Sequence, residues 1–280
     1  MELGDFLRTR RAALRPDDVG LVSYGARRVA GLRREELAQL AGVSVTYYTR
    51  LEQGHAPSVS DEVLDSIAHA LRLDETEWAH LRDLARPVRK RRATPPPDHV
   101  RPGLRHLVTA IDGVAALVMD RRTDVLAWNP LAHVLLASHR PADDPARRST
   151  RPNLTRMLFL DPPTRQLYAR WDVEAQRAVA SLRLVAGRFP DDRGLAELVG
   201  ELCVKSPEFA RLWSRHPVTN CTSGTKLFNH PAVGDLELGF EVTAPPDDSG
   251  QRLLMYSAAP GSSSEAALRL LTAAAYHSGG

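Results

Sequence analysis

RREELAQLAGVSVTYYTRLEQG, residues 33–54, reads as two short helices about a sharp turn. Leu37, Leu40 and Ala41 share the inner face of the first helix at helical spacing. Gly42 can take the positive φ that ends a helix and opens a tight turn. Val43 plugs the corner and Ser44 is an N-cap for the second helix, whose buried face is Tyr48 and Leu51. Val45, Thr46, Thr49 and Arg50 are left pointing outward, with Tyr47 on the flank. A solvated surface helix would carry Glu and Lys there. Small, apolar and aromatic side chains instead suit thymine methyls and groove walls, and Arg50 can give paired hydrogen bonds to guanine. Arg33 and Arg34 stand where phosphates could be neutralised. A plain αα-hairpin shares the spacing but not this outer face.

The surrounding 85 residues repeat helical stripes and never alternate with period two. Leu3, Phe6 and Leu7 open the chain; Val63, Leu64, Ile67, Ala68 and Leu71 form a fourth stripe, and Trp78, Leu81 and Leu84 a fifth. Ser60 and Asp74 precede the last two stripes as caps. Residues 1–85 therefore read as a five-helix, all-α domain. RPVRKRRATPPPDHVRPG, residues 86–103, is a basic and proline-rich linker. Residues 104–277 mix signals. VAALVMD and DVLAWN flank Arg121–Thr123 as a hairpin, and a helix follows from Pro130 to about Ser138. Helical periodicity returns over 172–189, 194–205 and 207–216. Three strands (GTKLFNH, LELGFEVTA, QRLLMYSAA) and a last helix, SSEAALRLLTAAAYH, complete an α+β domain.

Composition narrows the classes. The chain has 280 residues, 43% apolar and 25% charged, enough for two cores. Net charge is 37 − 34 = +3, too small by itself to announce a nucleic-acid partner. There is no long apolar run, and MELGDFLRTRR carries charge where a signal peptide needs an apolar core, so a cytoplasmic protein with no membrane partner is expected. Cys203 and Cys221 are the only cysteines, too few for a disulfide framework or a cysteine-rich zinc site. G-x-S-x-G, H-E-x-x-H, C-x-x-C and phosphate-loop motifs are missing, and the ten histidines lack ligand spacing. No enzyme, no metal and no cofactor is expected.

Residues 37–54 resemble the helix-turn-helix regulators of the phage-repressor (Xre) type, whose pattern is LA..AGVS…(I/Y)S.LE.G, with Thr49 where Ser is usual. The resemblance implies a lambda-repressor-like fold, base reading by Val45, Thr46 and Arg50, and backbone contacts from Arg34, Ser44 and Gln53. It also implies that Glu52 pairs with an arginine of the first helix, here Arg11. Residues 15–32 are longer than the usual loop; Arg27 and Arg28 within it either add backbone contacts or are solvated.

DRRTDVLAWNPLA, LFLDP, LVGELCVKSPEFARLWSRH, GTKLFNHPAVGDLEL and QRLLMYSAAPGS tile most of 114–270 and resemble the ligand-binding domain of MmyB-like regulators. That resemblance implies a PAS-like sheet with flanking helices around a pocket for a fatty acid or similar lipophile. Trp128, Leu131, Phe159, Trp213, Phe228, Phe240 and Met255 could line it, although such residues equally build a plain core. Arg122, Asn129, His216, Lys226 and His230 are candidates for a polar head group, each also readable as a surface group or a hydrogen-bonded core residue; Asn129 before Pro130 is also a helix cap. The expectation is a homodimer on a pseudo-palindromic double-stranded DNA operator, with a small lipophilic ligand biasing the conformation that fits the half-sites. Two alternatives stay open: an antitoxin-like second domain that binds a protein, or one that only dimerises.

Overall fold

The computed structural model describes residues 2–21, 29–55, 59–85, 99–218, 221–245 and 250–277. The chain divides into two compact units. One comprises Met1–Ala93 with Ala180–Asp192 and Leu212–Asn220; the other comprises Thr94–Val179, Arg193–Arg211 and Cys221–Gly280.

The first unit holds α1 (Glu2–Ala13), α2 (Arg34–Leu40), α3 (Val45–Glu52), α4 (Asp61–Ala70) and α5 (Glu75–Ala85), with a 3-10 turn at Pro16–Val19. Each cap read from the sequence is made: Ser44 Oγ accepts the Tyr47 N–H at 3.1 Å, Ser60 Oγ that of Val63 at 3.4 Å, and Asp74 Oδ1 that of Glu77 at 2.8 Å. Gly42 turns at φ +66°. Phe6, Leu7, Leu37, Tyr48, Leu51, Ile67 and Leu81 are buried together. Each such side chain contributes about 1.5–3 kcal/mol over remaining in water. Leu40 departs from its expected inward position and is 37% exposed. The stripe that α2 buries runs through Leu37, Ala38 and Ala41 instead, which turns Leu40 to the rim.

The core of this unit is not drawn from its N-terminal helices alone. Val218 is buried within it and Leu184 packs against it.

The second unit is α+β, and its five strands form one antiparallel, PAS-like sheet in the order β2-β1-β5-β4-β3. These are β1 (Ala115–Met119), β2 (Val125–Trp128), β3 (Ser223–His230), β4 (Gly234–Thr243) and β5 (Arg252–Ser257). On one face Leu117, Phe228, Leu238, Phe240, Leu254 and Tyr256 meet α7 (Pro130–Ala137) and a C-terminal helix running from Ser263 to His277. On the other, Ala116, Val118 and Leu126 meet α6 (Pro102–Ala110) through Val108. Pro102 and Gly103, read from the sequence as the end of the linker, are the first turn of α6, where proline's fixed φ suits a helix start. The basic run and triple proline at 86–98 lie outside the described residues.

The α8 (Leu154–Leu160), α9 (Pro162–Leu167), α10 (Trp171–Arg188), α11 (Arg193–Lys205) and α12 (Pro207–Ser214) helices lie between β2 and β3 in sequence, and the C-terminal helix is α13. The helix α10 has its first half in this unit and its last residues in the other.

Candidate nucleic-acid interface and ligand site

The helix α3 is fastened by one face. Tyr48 and Leu51 are fully buried, whereas Thr46 and Arg50 are exposed, Val45 is 46% exposed and Tyr47 and Thr49 are half-buried. Ser44 and Gln53, at its two ends, are also exposed. Val45, Thr46 and Arg50, expected to read bases, and Tyr47 on their flank therefore share the first two turns of one outward-facing helix. Arg27 and Arg28 lie outside the described residues.

Beneath this face sits Glu52, with its side chain 1% exposed. Its Oε1 accepts from Arg11 Nε at 2.7 Å, and its Oε2 accepts from Arg34 Nε at 2.6 Å and Arg11 Nη2 at 3.3 Å. Burial pushes the Glu52 carboxyl up, but the bonds from Arg11 and Arg34 outweigh it and hold the group below the usual carboxylate range. Arg11 Nη1 also donates to the Leu32 carbonyl at 2.6 Å, tying α1 to the chain entering α2. One buried carboxylate thus fixes three pieces of the motif. Arg34 remains half exposed beyond that bond, and Arg33 gives its backbone N–H to Glu36 Oε2 at 2.7 Å, closing the start of α2.

The residues expected around a ligand separate into several places. Lys226, Phe228 and Phe240 come together. Lys226 Nζ lies 5.0 Å from the centre of the Phe240 ring, 5.6 Å from Tyr168 and 5.8 Å from Tyr256, distances at which an ammonium is attracted by aromatic faces. It pairs with Glu174 Oε2 at 2.8 Å, and both side chains are largely buried. Phe228 packs on Tyr168 and edge-on to Tyr256. Tyr168, Glu174 and Tyr256 were not among the sequence candidates; no spacing links positions on a loop, a helix and a strand.

The other candidates do not join this group. Asn129 is a cap and a brace: its Oδ1 accepts from Ala132 and Ala116, and its Nδ2 donates to Val114 and Ile111. Every polar atom of its amide is used. His230 is 3% exposed and bonds the Val134 carbonyl through Nε2. Trp128 donates its indole N–H to the Ala142 carbonyl at 2.7 Å within the core. Phe159 packs edge-on between Trp171 and Phe209. Met255 alternates with Leu254 and Tyr256 and so faces α6. Trp213 and His216 belong to the other unit, where Arg183 lies 3.9 Å over the Trp213 ring and its Nη1 lies 3.0 Å from His216 Nδ1. Arg122 lines a separate polar cleft.

Among the described residues no helix is long and apolar enough to cross a membrane, and no group of three or more His, Cys, Asp or Glu could hold a metal ion.

A capped helix presented outward from a helix-turn-helix, together with an α+β unit on a five-stranded sheet, defines a DNA-binding regulator with a ligand-binding domain. Comparison with known families agrees. Residues 100–271 match the MmyB-like transcription regulator ligand binding domain, and residues 2–81 match a helix-turn-helix domain. The chain belongs to the MmyB-like transcription regulators. No curated protein matches it.

Proposed function

We propose that this regulator binds a pseudo-palindromic operator as a homodimer, with α3 in the major groove. Val45, Thr46, Tyr47 and Arg50 read base edges, while Arg33, Arg34, Ser44 and Gln53 hold the phosphate backbone. The observation that carries this reading is the one-sided burial of α3: Tyr48 is fully covered while Val45, an apolar residue, is left at 46% exposure. An apolar side chain held outward beside Arg50 fits a groove wall better than it fits water.

The proposed effector is a small lipophile with an anionic head, such as a fatty acid, taken at the Lys226 cluster. A ligand carboxylate would compete with Glu174 for Lys226, and the neighbouring rings offer apolar surface to the rest of the molecule. Binding there would alter operator affinity.

Fluorescence anisotropy with a selected operator and a scrambled duplex tests the first part. Arg50→Ala should lose about 1–3 kcal/mol on the operator and little on the scrambled duplex. Equal losses on both would remove the base-reading role. Native mass spectrometry of the purified protein tests the second: a co-purifying lipophile should be absent in Lys226→Met.

A further inference from the structure

The outer face of the five-stranded sheet is finished differently at its two ends. β1 and β2 are buried at every position, with α6 over them, whereas β4 alternates and leaves Asp235, Glu237, Gly239 and Glu241 exposed. β3 likewise exposes Thr225, Leu227 and Asn229. The face is thus a ridge, α6, beside an uncovered trough. We propose that a second copy of this chain covers it, the α6 ridge of each copy seated in the β3–β4 trough of the other. This rests on the homodimer reading above and names its surface.

An antiparallel sheet with polar residues outward can simply face water. Here the border of the trough is apolar. Leu104 and the Ile111 that ends α6 edge the cluster around Val108, together with Leu253 and Met255 of β5. Leu107 stands three residues from Leu104 and four from Ile111, so it extends their stripe, yet it is 60% exposed. Leu227, opposite Glu237, is 37% exposed. Glycines on both parts have room for a side chain. A Cβ on Gly103 of the ridge meets nothing within 4 Å, and one on Gly239 of the trough comes no nearer than 3.7 Å to another atom. A glycine inside a strand often marks a place where another backbone approaches closely.

Charge divides the same way. Asp235, Glu237 and Glu241 are exposed and make no ion pair among the described residues. The ridge carries Arg105 and His106, also exposed and also without an ion pair there. Such a surface complements itself: a two-fold axis along the strands sets basic ridge on acidic trough twice over. Gln251 Nε2 donates to the His99 carbonyl at 3.0 Å, so α6 begins level with the start of β5 and the end of β4, where Thr243 pairs with Leu253. The axis preserves that level, and Arg105 of one copy meets Glu241 of the other.

The size is also sufficient. Three strands about 4.8 Å apart, with eight residues of about 3.3 Å rise, and a helix about 10 Å wide give on the order of 600 Å² before side-chain relief. Each partner of a stable complex buries about 800 Å².

Sedimentation equilibrium of the full-length protein, without DNA, tests the surface. Leu107→Asp should raise the dimer dissociation constant about tenfold or more by placing a charge in the contact. The residue is exposed, so the variant should keep the wild-type unfolding midpoint. Arg105→Glu and Glu241→Arg should each weaken self-association. Mixed together, with one of them fluorescently labelled, these two variants should recover a heterodimer, because each ridge then meets a trough of opposite sign. No recovery on mixing, or a Leu107→Asp chain that dimerises like the wild type, would overturn the proposal and leave a homodimer built through another surface. A wild-type chain that stays monomeric without DNA would overturn it too, and one that also occupies the operator as a monomer would remove the homodimer reading with it.

Discussion

Arg34 Nε lies 2.6 Å from Glu52 Oε2, so the arginine expected to meet a phosphate is held by a carboxylate buried under the recognition helix. The tether limits how far Arg34 can wander before DNA arrives, and it makes Glu52 a support for both the core and the binding face. Glu52→Ala should cost about 3 kcal/mol in urea unfolding followed by circular dichroism, because Arg11 would be left with its buried partner removed. The pH dependence has a definite sign. Glu52 titrates lower in the folded protein than in the unfolded chain, so its stabilisation is present above the usual carboxylate range and fades as pH falls through its lowered value. Glu52→Gln should flatten the acid side of the stability profile.

The cap at Ser44 can be separated from base reading. Ser44→Ala removes the acceptor for the Tyr47 N–H and should cost about 1 kcal/mol in thermal or urea unfolding. In DNA binding, operator and scrambled duplex should weaken together, in contrast to Arg50→Ala. A selective loss on the operator alone would give Ser44 a reading role instead.

The Lys226–Glu174 pair should behave as a buried ion pair. Lys226→Met leaves Glu174 Oε2 without its cation, with Arg177 still paired to Oε1 at 2.8 Å, and should destabilise the protein by about 2 kcal/mol. Combining it with Glu174→Leu should restore a large part of that stability. The double variant should still fail to retain an anionic lipophile, and calorimetry with a medium-chain fatty acid would measure this.

His80 supplies a second pH signal. It is 3% exposed, edge-on to Phe6 at 5.2 Å. Burial, then the charges of Arg183 and Arg10 and the neighbouring His216, lower its pKa to about 4. The unfolded chain therefore takes up a proton first, and stability should fall as pH drops from about 6.5 towards 4 and level off below. His80→Leu should reduce that slope between pH 6.5 and 4 in a urea titration series; an unchanged slope would assign it to other groups.

The helix-turn-helix was legible because its instructions are local. Caps at Ser44, Ser60 and Asp74, a glycine at the turn and stripes at helical spacing act within a few residues of one another. The sheet was legible for the same reason, since β1, β3, β4 and β5 are bounded by turn residues. The α8 and α9 helices were not. They are short, and Pro152, Pro162 and Pro163 read as breakers, yet Asn153 and Asp161 cap them and burial of Met157 and Leu167 holds them. The Lys226 cluster was half legible. Lys226 and Phe228 share one strand, but Glu174, Tyr168 and Tyr256 reach them from three other places, a juxtaposition that tertiary folding alone creates. Trp213 and His216 sit in a stretch that reads as part of the α+β domain, and nothing local marks their packing beside Arg183.

Val218 and Leu184 have a consequence for how such regulators can be recombined. A splice at the basic stretch after α5 would carry the whole recognition motif into a chimera yet leave behind side chains that complete its hydrophobic interior. Exchange of reading heads between relatives would succeed only where the recipient supplies matching downstream residues, so the two halves of this chain are expected to drift together rather than as separable parts.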